Sequence, residues 1–171
     1  GHGARMARVI DPSESDAIHL RTTRPTSEAH AVIACDRIDL EATLDGGQAF
    51  RWHRDPDTPG SYRGVIGRHA LILRSVTEGI HVESVVGQDV AAAIPRVRGY
   101  LGLDGGFEAF RARYADDEHI GPALACWPGL RVLRQDPWEC LVAFITSATS
   151  SIPRIKSNVC AVAAALGDCI G

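Results

Sequence analysis

Short runs of apolar residues alternating with polar ones begin at Ala31. They span Ala31–Cys35, Ile38–Leu44, Gln48–His53, Ser61–Ile66, Ala70–Val76 and Gly79–Val85, separated by turn residues such as Asp45-Gly46-Gly47, Pro56-Asp57 and Glu78-Gly79. Connections this short suit hairpins, because parallel strands need crossovers of about a dozen residues or more. The pattern therefore predicts an antiparallel sheet.

Beyond Gly87 the period becomes helical. Val90, Ala93, Ile94, Val97, Tyr100 and Leu101 recur at helical spacing, and Gly102 can stop that helix. Phe107, Phe110, Ala112 and Tyr114 predict a second short helix, and His119–Cys126 a third. Two better-specified helices follow. Asp136 is a good N-cap, Pro137 fits the first helical position, and Glu139 completes a D-x-x-E capping box. Leu141, Phe144, Ile145 and Ala148 predict one apolar face. Thr149-Ser150-Ser151 interrupts, and the next helix is expected to carry Ile152, Ile155, Val159, Val162, Ala163 and Leu166 inward before Gly167 ends it. A β-rich half followed by an α-rich half reads as α+β.

Before Ala31 no apolar period is sustained. Residues 1–30 are polar and charged, with Pro12 and Pro25 among several Ser and Thr, and are expected to form a disordered leader. The sequence starts at Gly1 and its single methionine is Met6, as expected of an incomplete native product. No apolar run is long enough to span a bilayer, and the N-terminus has no apolar signal-peptide core. A cytoplasmic protein in a bacterium, or a nuclear one in a eukaryote, is expected.

Charge sharpens the picture only locally. The 171 residues carry a net charge of −3, which gives no global basic footprint for nucleic acid. Gly46–Ser75 is nevertheless +3 and Gly129–Cys160 is +2, so two mildly basic regions permit polyanion binding. Of the 18 basic residues 17 are arginine, leaving Lys156 as the single lysine available for amine chemistry. The five cysteines are scattered and odd in number, arguing against a disulfide framework, a zinc ribbon or an iron–sulfur cluster. Seven histidines show no metal-ligand spacing, and no P-loop, G-x-G-x-x-G or G-x-S-x-G string occurs. Neither a metal nor a cofactor is expected.

Two stretches carry candidate chemistry. A helix, a polar turn and a second helix bearing Arg154 and Lys156 can grip a phosphate backbone, because first-turn amides lack intrahelical partners. By spacing alone, an ordinary helical hairpin with a solvated charged side is the default reading. In Gly46-Gly47-Gln48-Ala49-Phe50-Arg51-Trp52, paired glycines let backbone approach another body closely and offer carbonyl acceptors. By itself this is a hairpin with a tight turn.

Taken together the two stretches are more specific. Gly47-Gln48-Ala49-Phe50-Arg51-Trp52, then Gly129-Leu130-Arg131-Val132-Leu133-Arg134-Gln135-Asp136-Pro137-Trp138-Glu139-Cys140-Leu141, then Phe144-Ile145 and Ile152-Pro153-Arg154-Ile155, resemble the eukaryotic-type 8-oxoguanine DNA glycosylases of the helix-hairpin-helix superfamily. The resemblance runs from about Cys35 to Leu166. It implies an N-terminal antiparallel α+β domain over 31–128, like half of a TATA-binding protein, and the first helices of an all-helical glycosylase domain over 129–171. It implies a monomer acting on double-stranded DNA that contains a damaged purine, with base flipping, excision and abasic-site lyase activity in the full-length protein.

The resemblance also assigns roles. Gly47, with Gln48 and Phe50, would bind the substrate base, the Gly47 carbonyl accepting from the N7–H that 8-oxoguanine has and guanine lacks. Thr149, Ser150 and Ser151 would fill the gap left by the flipped base, and Arg154 would contact the estranged cytosine. Family members usually carry asparagines in that turn, so the hydroxyl residues here fill it less fully. The family's nucleophilic lysine and its acidic partner lie downstream of Gly171; no catalytic residue is expected in this chain, which should be inactive by itself. An alkylated-purine glycosylase of the same superfamily and a non-catalytic damaged-DNA-binding module remain alternatives.

Overall fold

The computed structural model describes residues 29–170 together with Ala7–Arg8. Five strands form one antiparallel sheet: β2 (His30–Ala34), β3 (His53–Arg54), β4 (Ser61–Ile66), β5 (His69–Val76) and β6 (Gly79–Ser84), in the order β2-β6-β5-β4-β3. A parallel pair joins β1 (Ala7–Arg8) to β7 (Asp168–Cys169). The helices are α1 (Leu40–Leu44), α2 (Ile94–Tyr100), α3 (Phe107–Tyr114), α4 (Ile120–Cys126), α5 (Pro137–Ser147) and α6 (Ile152–Leu166). The α+β class is the expected one. The expected leader over 1–30 falls mostly outside the described residues, although Ala29 is buried and accepts from the Ser84 N–H.

Strand register follows from burying alternate side chains on one face. Tyr62 opposes Leu73, Leu73 opposes Val82, and Val82 opposes Ala31, a row crossing four strands. Two-residue loops, Gly67-Arg68 and Thr77-Glu78, close the β4–β5 and β5–β6 hairpins. Leu40 and Leu44 of α1 and Val97 of α2, with Leu101 after it, complete this core. Trp52 lies inside it, and Gly64 is glycine because any Cβ there would enter the Trp52 indole. The indole Nε1 donates to the Tyr100 hydroxyl at 2.9 Å. Burial pushes the Tyr100 phenol up to about 12, so it stays neutral as that acceptor.

Four expectations are corrected. Ile38–Leu44 is not a strand but α1. Its apolar residues fit both periods, and the decision falls to Asp39, whose carboxylate caps the Ala42 N–H at 2.9 Å while its own N–H donates to Gly129 O. In Gln48–His53 only His53 joins the sheet, because the preceding backbone is held by side chains rather than by a ladder. On α5 the expected inward face is turned outward: Leu141, Phe144 and Ile145 are 47 %, 76 % and 64 % exposed, and Ala148 is exposed too. Val142 and Ala143 pack instead against Ile155, Val159 and Ala163 of α6. Ile152 and Leu166, expected inward on α6, are exposed. No helix among the described residues is long and apolar enough to cross a membrane.

Tyr100→Phe removes the acceptor of the buried indole N–H without changing shape. It should cost about 1–3 kcal/mol. Urea unfolding followed by tryptophan fluorescence will read this as a lower midpoint at unchanged slope; an unchanged midpoint would contradict the assigned pair.

Candidate nucleic-acid interface

The first candidate stretch begins where α1 ends. Asp45 closes the helix by donating its N–H to Glu41 O, and Gly47 follows with φ +91°, a left-handed conformation strained for any residue with a Cβ. Gln48 turns its side chain into the protein. Nε2 donates to Arg131 O at 2.8 Å and to Thr43 O at 3.4 Å, and Oε1 accepts from the Leu133 N–H at 3.1 Å. Its backbone carbonyl accepts from Gln135 Nε2 at 2.6 Å. Gln48 therefore acts by holding the turn, since its amide is committed to the extended strap of residues 130–135.

The next residues fan out from one bend. Ala49 and Trp52 enter the sheet core, whereas Phe50 packs on the Ile155–Val159 cluster between α5 and α6. Arg51 reaches across to Glu139 of α5, Nη1 to Oε1 at 2.5 Å, with both side chains largely buried. That pair explains the rotation of α5. Asp136 caps the Trp138 and Glu139 N–H groups, as expected, but the Glu139 carboxylate that should close a capping box faces Arg51. With Glu139 inward, Val142 and Ala143 follow it at helical spacing and Leu141 and Phe144 must point out.

The second stretch is the α5–α6 turn. After Ala148, Thr149 adopts φ +55°, and it is the one residue other than glycine with positive φ among those described. Its hydroxyl donates to Ala148 O at 2.8 Å, as the Ser150 hydroxyl does at 3.3 Å. Ser151 is the N-cap residue of α6, its carbonyl accepting from the Ile155 N–H. Arg154 is exposed in the first turn. A Cβ built on Gly47 would meet Ile152 Cδ1 at 3.4 Å, so the glycine turn and the start of α6, about a hundred residues apart in sequence, touch.

The sequence names Arg131 and Lys156 but not the partners that give them their places here. Arg131 is buried, its guanidinium 3.8 Å over the Phe107 ring and Nη2 donating to Arg37 O at 3.0 Å. The alternation of Arg131 and Leu133 inward with Val132 and Arg134 outward was a readable strand-like signal, hidden by an arginine in an apolar slot. Nothing in the sequence pairs Lys156 with Asp45, whose Oδ1 lies 2.5 Å from Nζ.

The model of the 8-oxoguanine DNA glycosylase N-terminal domain matches residues 32–141. This chain belongs to that family. Among its relatives, the N-glycosylase/DNA lyase OGG1 of Arabidopsis thaliana is 30 % identical over 128 residues, covering 71 % of this chain and 34 % of the plant protein. A solved structure of MBOgg1 with a low-affinity DNA ligand aligns at TM-score 0.66 and 26 % identity, covering 75 % of this chain and 43 % of that one. The Clostridium acetobutylicum 8-oxoguanine glycosylase/lyase, solved with double-stranded DNA holding cytosine opposite 8-oxoG, aligns at 0.60 and 28 % identity, over 70 % of this chain and 39 % of that one. This member of the glycosylase family thus spans about a third of the curated relative's length.

Thr149 is β-branched and left-handed, a combination that costs about 1–2 kcal/mol. Thr149→Asn, a residue that tolerates this conformation, should raise the melting temperature by about 2–4 °C. Differential scanning calorimetry will test it, and an unchanged or lower transition would show that the turn carries no strain.

Proposed function

We propose that this chain supplies the lesion-reading turn and the strand-contacting helix start of a DNA glycosylase that flips and excises 8-oxoguanine, with abasic-site lyase activity in the whole protein. The observation that carries the reading is the junction itself. Gly47, in its left-handed turn, abuts Ile152 at the start of α6, and Arg154 stands exposed two residues further on. A carbonyl acceptor for a base edge and a cation for the opposite strand then sit on one rigid unit, as base flipping requires. In this reading residues 31–128 form the N-terminal domain and 129–171 open a helical one, with the strap of 129–135 seated on the first. The work is done by a monomer on double-stranded DNA.

Each side chain has a role that its setting supports. Gly47 offers its carbonyl to the N7–H of 8-oxoguanine; undamaged guanine would set lone pair against lone pair. Gln48 holds that turn to the strap, and Phe50 anchors it on α5 and α6. Thr149, Ser150 and Ser151 enter the gap left by the flipped base, and Arg154 reads the estranged cytosine. Lys156 is not the nucleophile. A Schiff-base lysine must present a free amine to the sugar carbon, whereas Lys156 Nζ is held by Asp45 Oδ1 and by Trp52 O at 3.3 Å.

In the native protein that carries this sequence, single-turnover assays should show release of 8-oxoguanine opposite cytosine. Arg154→Ala should cut the preference for cytosine over the other three opposite bases by about tenfold. Release of alkylated purines only, or an opposite-base preference untouched by the substitution, would overturn the assignment. A second expectation concerns the 171-residue chain. Borohydride should trap no covalent adduct between it and abasic DNA, and an adduct that disappears in Lys156→Met would make Lys156 the nucleophile after all.

A further inference from the structure

The glycine turn is bracketed by two residues, Asp45 before it and Trp52 after it, and one side chain binds both. Lys156 Nζ lies 2.5 Å from Asp45 Oδ1 and donates to Trp52 O at 3.3 Å, and the Lys156 and Asp45 side chains are only 18 % and 30 % exposed. The ammonium ties the two ends of the Gly46–Arg51 stretch to the second turn of α6. From within, the same stretch is pinned by Gln135 on the Gln48 carbonyl and by Arg51 on Glu139.

Helical geometry sets what this contact couples. Residues two apart on a helix point to nearly opposite sides. Exposed Arg154 and inward Lys156 are therefore the two sides of one helix start, and rotation or sliding of α6 would move both. A lysine suits the place where the chain otherwise uses arginine. A compact ammonium on a flexible stem has three rotatable donors and can serve a carboxylate and a carbonyl at once without the fixed planar fork of a guanidinium. The neighbouring Arg54 pairs with Glu41 at 2.6 Å and stands 3.7 Å from Asp45 Oδ2, so Asp45 keeps a cation on each side.

We propose that Lys156 is a positioning residue that holds the Gly47 turn in register with the start of α6, coupling lesion reading to opposite-strand contact. The inference rests on the glycosylase reading for its purpose, and on the described contacts for its mechanism. The clasp sets where the Gly47 carbonyl stands relative to Arg154. It does not touch phosphate.

Two measurements separate the mechanism from the purpose. In the DNA-free chain, Lys156→Met should speed amide hydrogen exchange at Asp45 and Leu133, whose N–H groups bond Glu41 O and the Gln48 side chain on either side of the turn, by about tenfold, with β4–β6 unaffected. Asp45→Asn should do the same, the double variant should add nothing, and Asp45→Lys with Lys156→Asp should restore protection. No change at the turn, or a rise spread over the whole sheet, would overturn the proposal. In the native protein, Lys156→Met should lower the ratio of affinities for 8-oxoguanine·cytosine and guanine·cytosine duplexes without altering the salt dependence. A uniform loss with the salt slope reduced by about one would make Lys156 a phosphate contact and overturn the proposal. An unchanged ratio in a protein that discriminates would overturn it as well. If the unsubstituted protein shows no preference for 8-oxoguanine, the glycosylase reading fails, while the exchange experiment still decides whether the clasp exists.

Discussion

A primary amide brings two donors and one acceptor into a protein, and burying any of them unpaired is costly. Gln48 satisfies all three against backbone: the carbonyls of Thr43 and Arg131 and the N–H of Leu133. This places the strap of residues 130–135 beside the end of α1, as a strand would be placed by a ladder. The rest follows from it. Gln135 meets the Gln48 carbonyl, Asp136 starts α5 at a set point, and Arg51 faces Glu139 one turn into that helix. One satisfied side chain thus joins the sheet body to the helical hairpin.

The charges at the junction act on geometry more than on stability. Removing a partly buried ion pair's partner is costly, yet forming the pair contributes little net free energy, because desolvation offsets attraction. Arg51 with Glu139 fixes the rotation of α5, and Lys156 with Asp45 fixes α6 against the glycine turn. A further pair inside the sheet body, Arg63 with the buried Asp55 at 2.8 Å, lets Asp55 also cap the Asp57 and Thr58 N–H groups of the β3–β4 loop. Each pair removes one way for neighbouring elements to slide. In the proposed function, a site presenting a backbone carbonyl and an arginine to one duplex would need that rigidity more than extra stability.

Much of the fold was legible. Strands β4, β5 and β6 announce themselves by short apolar runs bounded by two-residue turns, and α5 by its cap and proline, because these signals are local. The misread stretches are those where local signals tie. Ile38–Leu44 satisfies both the strand and the helix period, and only Asp39, with its carboxylate on Ala42 and its N–H on Gly129, breaks the tie. The outward face of α5 was misassigned for the opposite reason. Leu141, Phe144 and Ile145 make the stronger apolar stripe, but Glu139 is drawn inward by Arg51, 88 residues away in sequence, and the stripe is left exposed.

The sequence by itself determined the α+β order, the hairpins and the Asp136 cap, because each of these depends on residue types within a few positions of one another, and it determined the family through two distant motifs read together. It also named both halves of the candidate interface. Only the tertiary structure decided that Gly47 lies against Ile152, that Gln48 serves the scaffold, and that the single lysine binds Asp45. Those are pairings across about a hundred residues. Hydrophobic periodicity says which side of an element is buried without saying against what, and a polar side chain's partner is chosen only when the elements have packed.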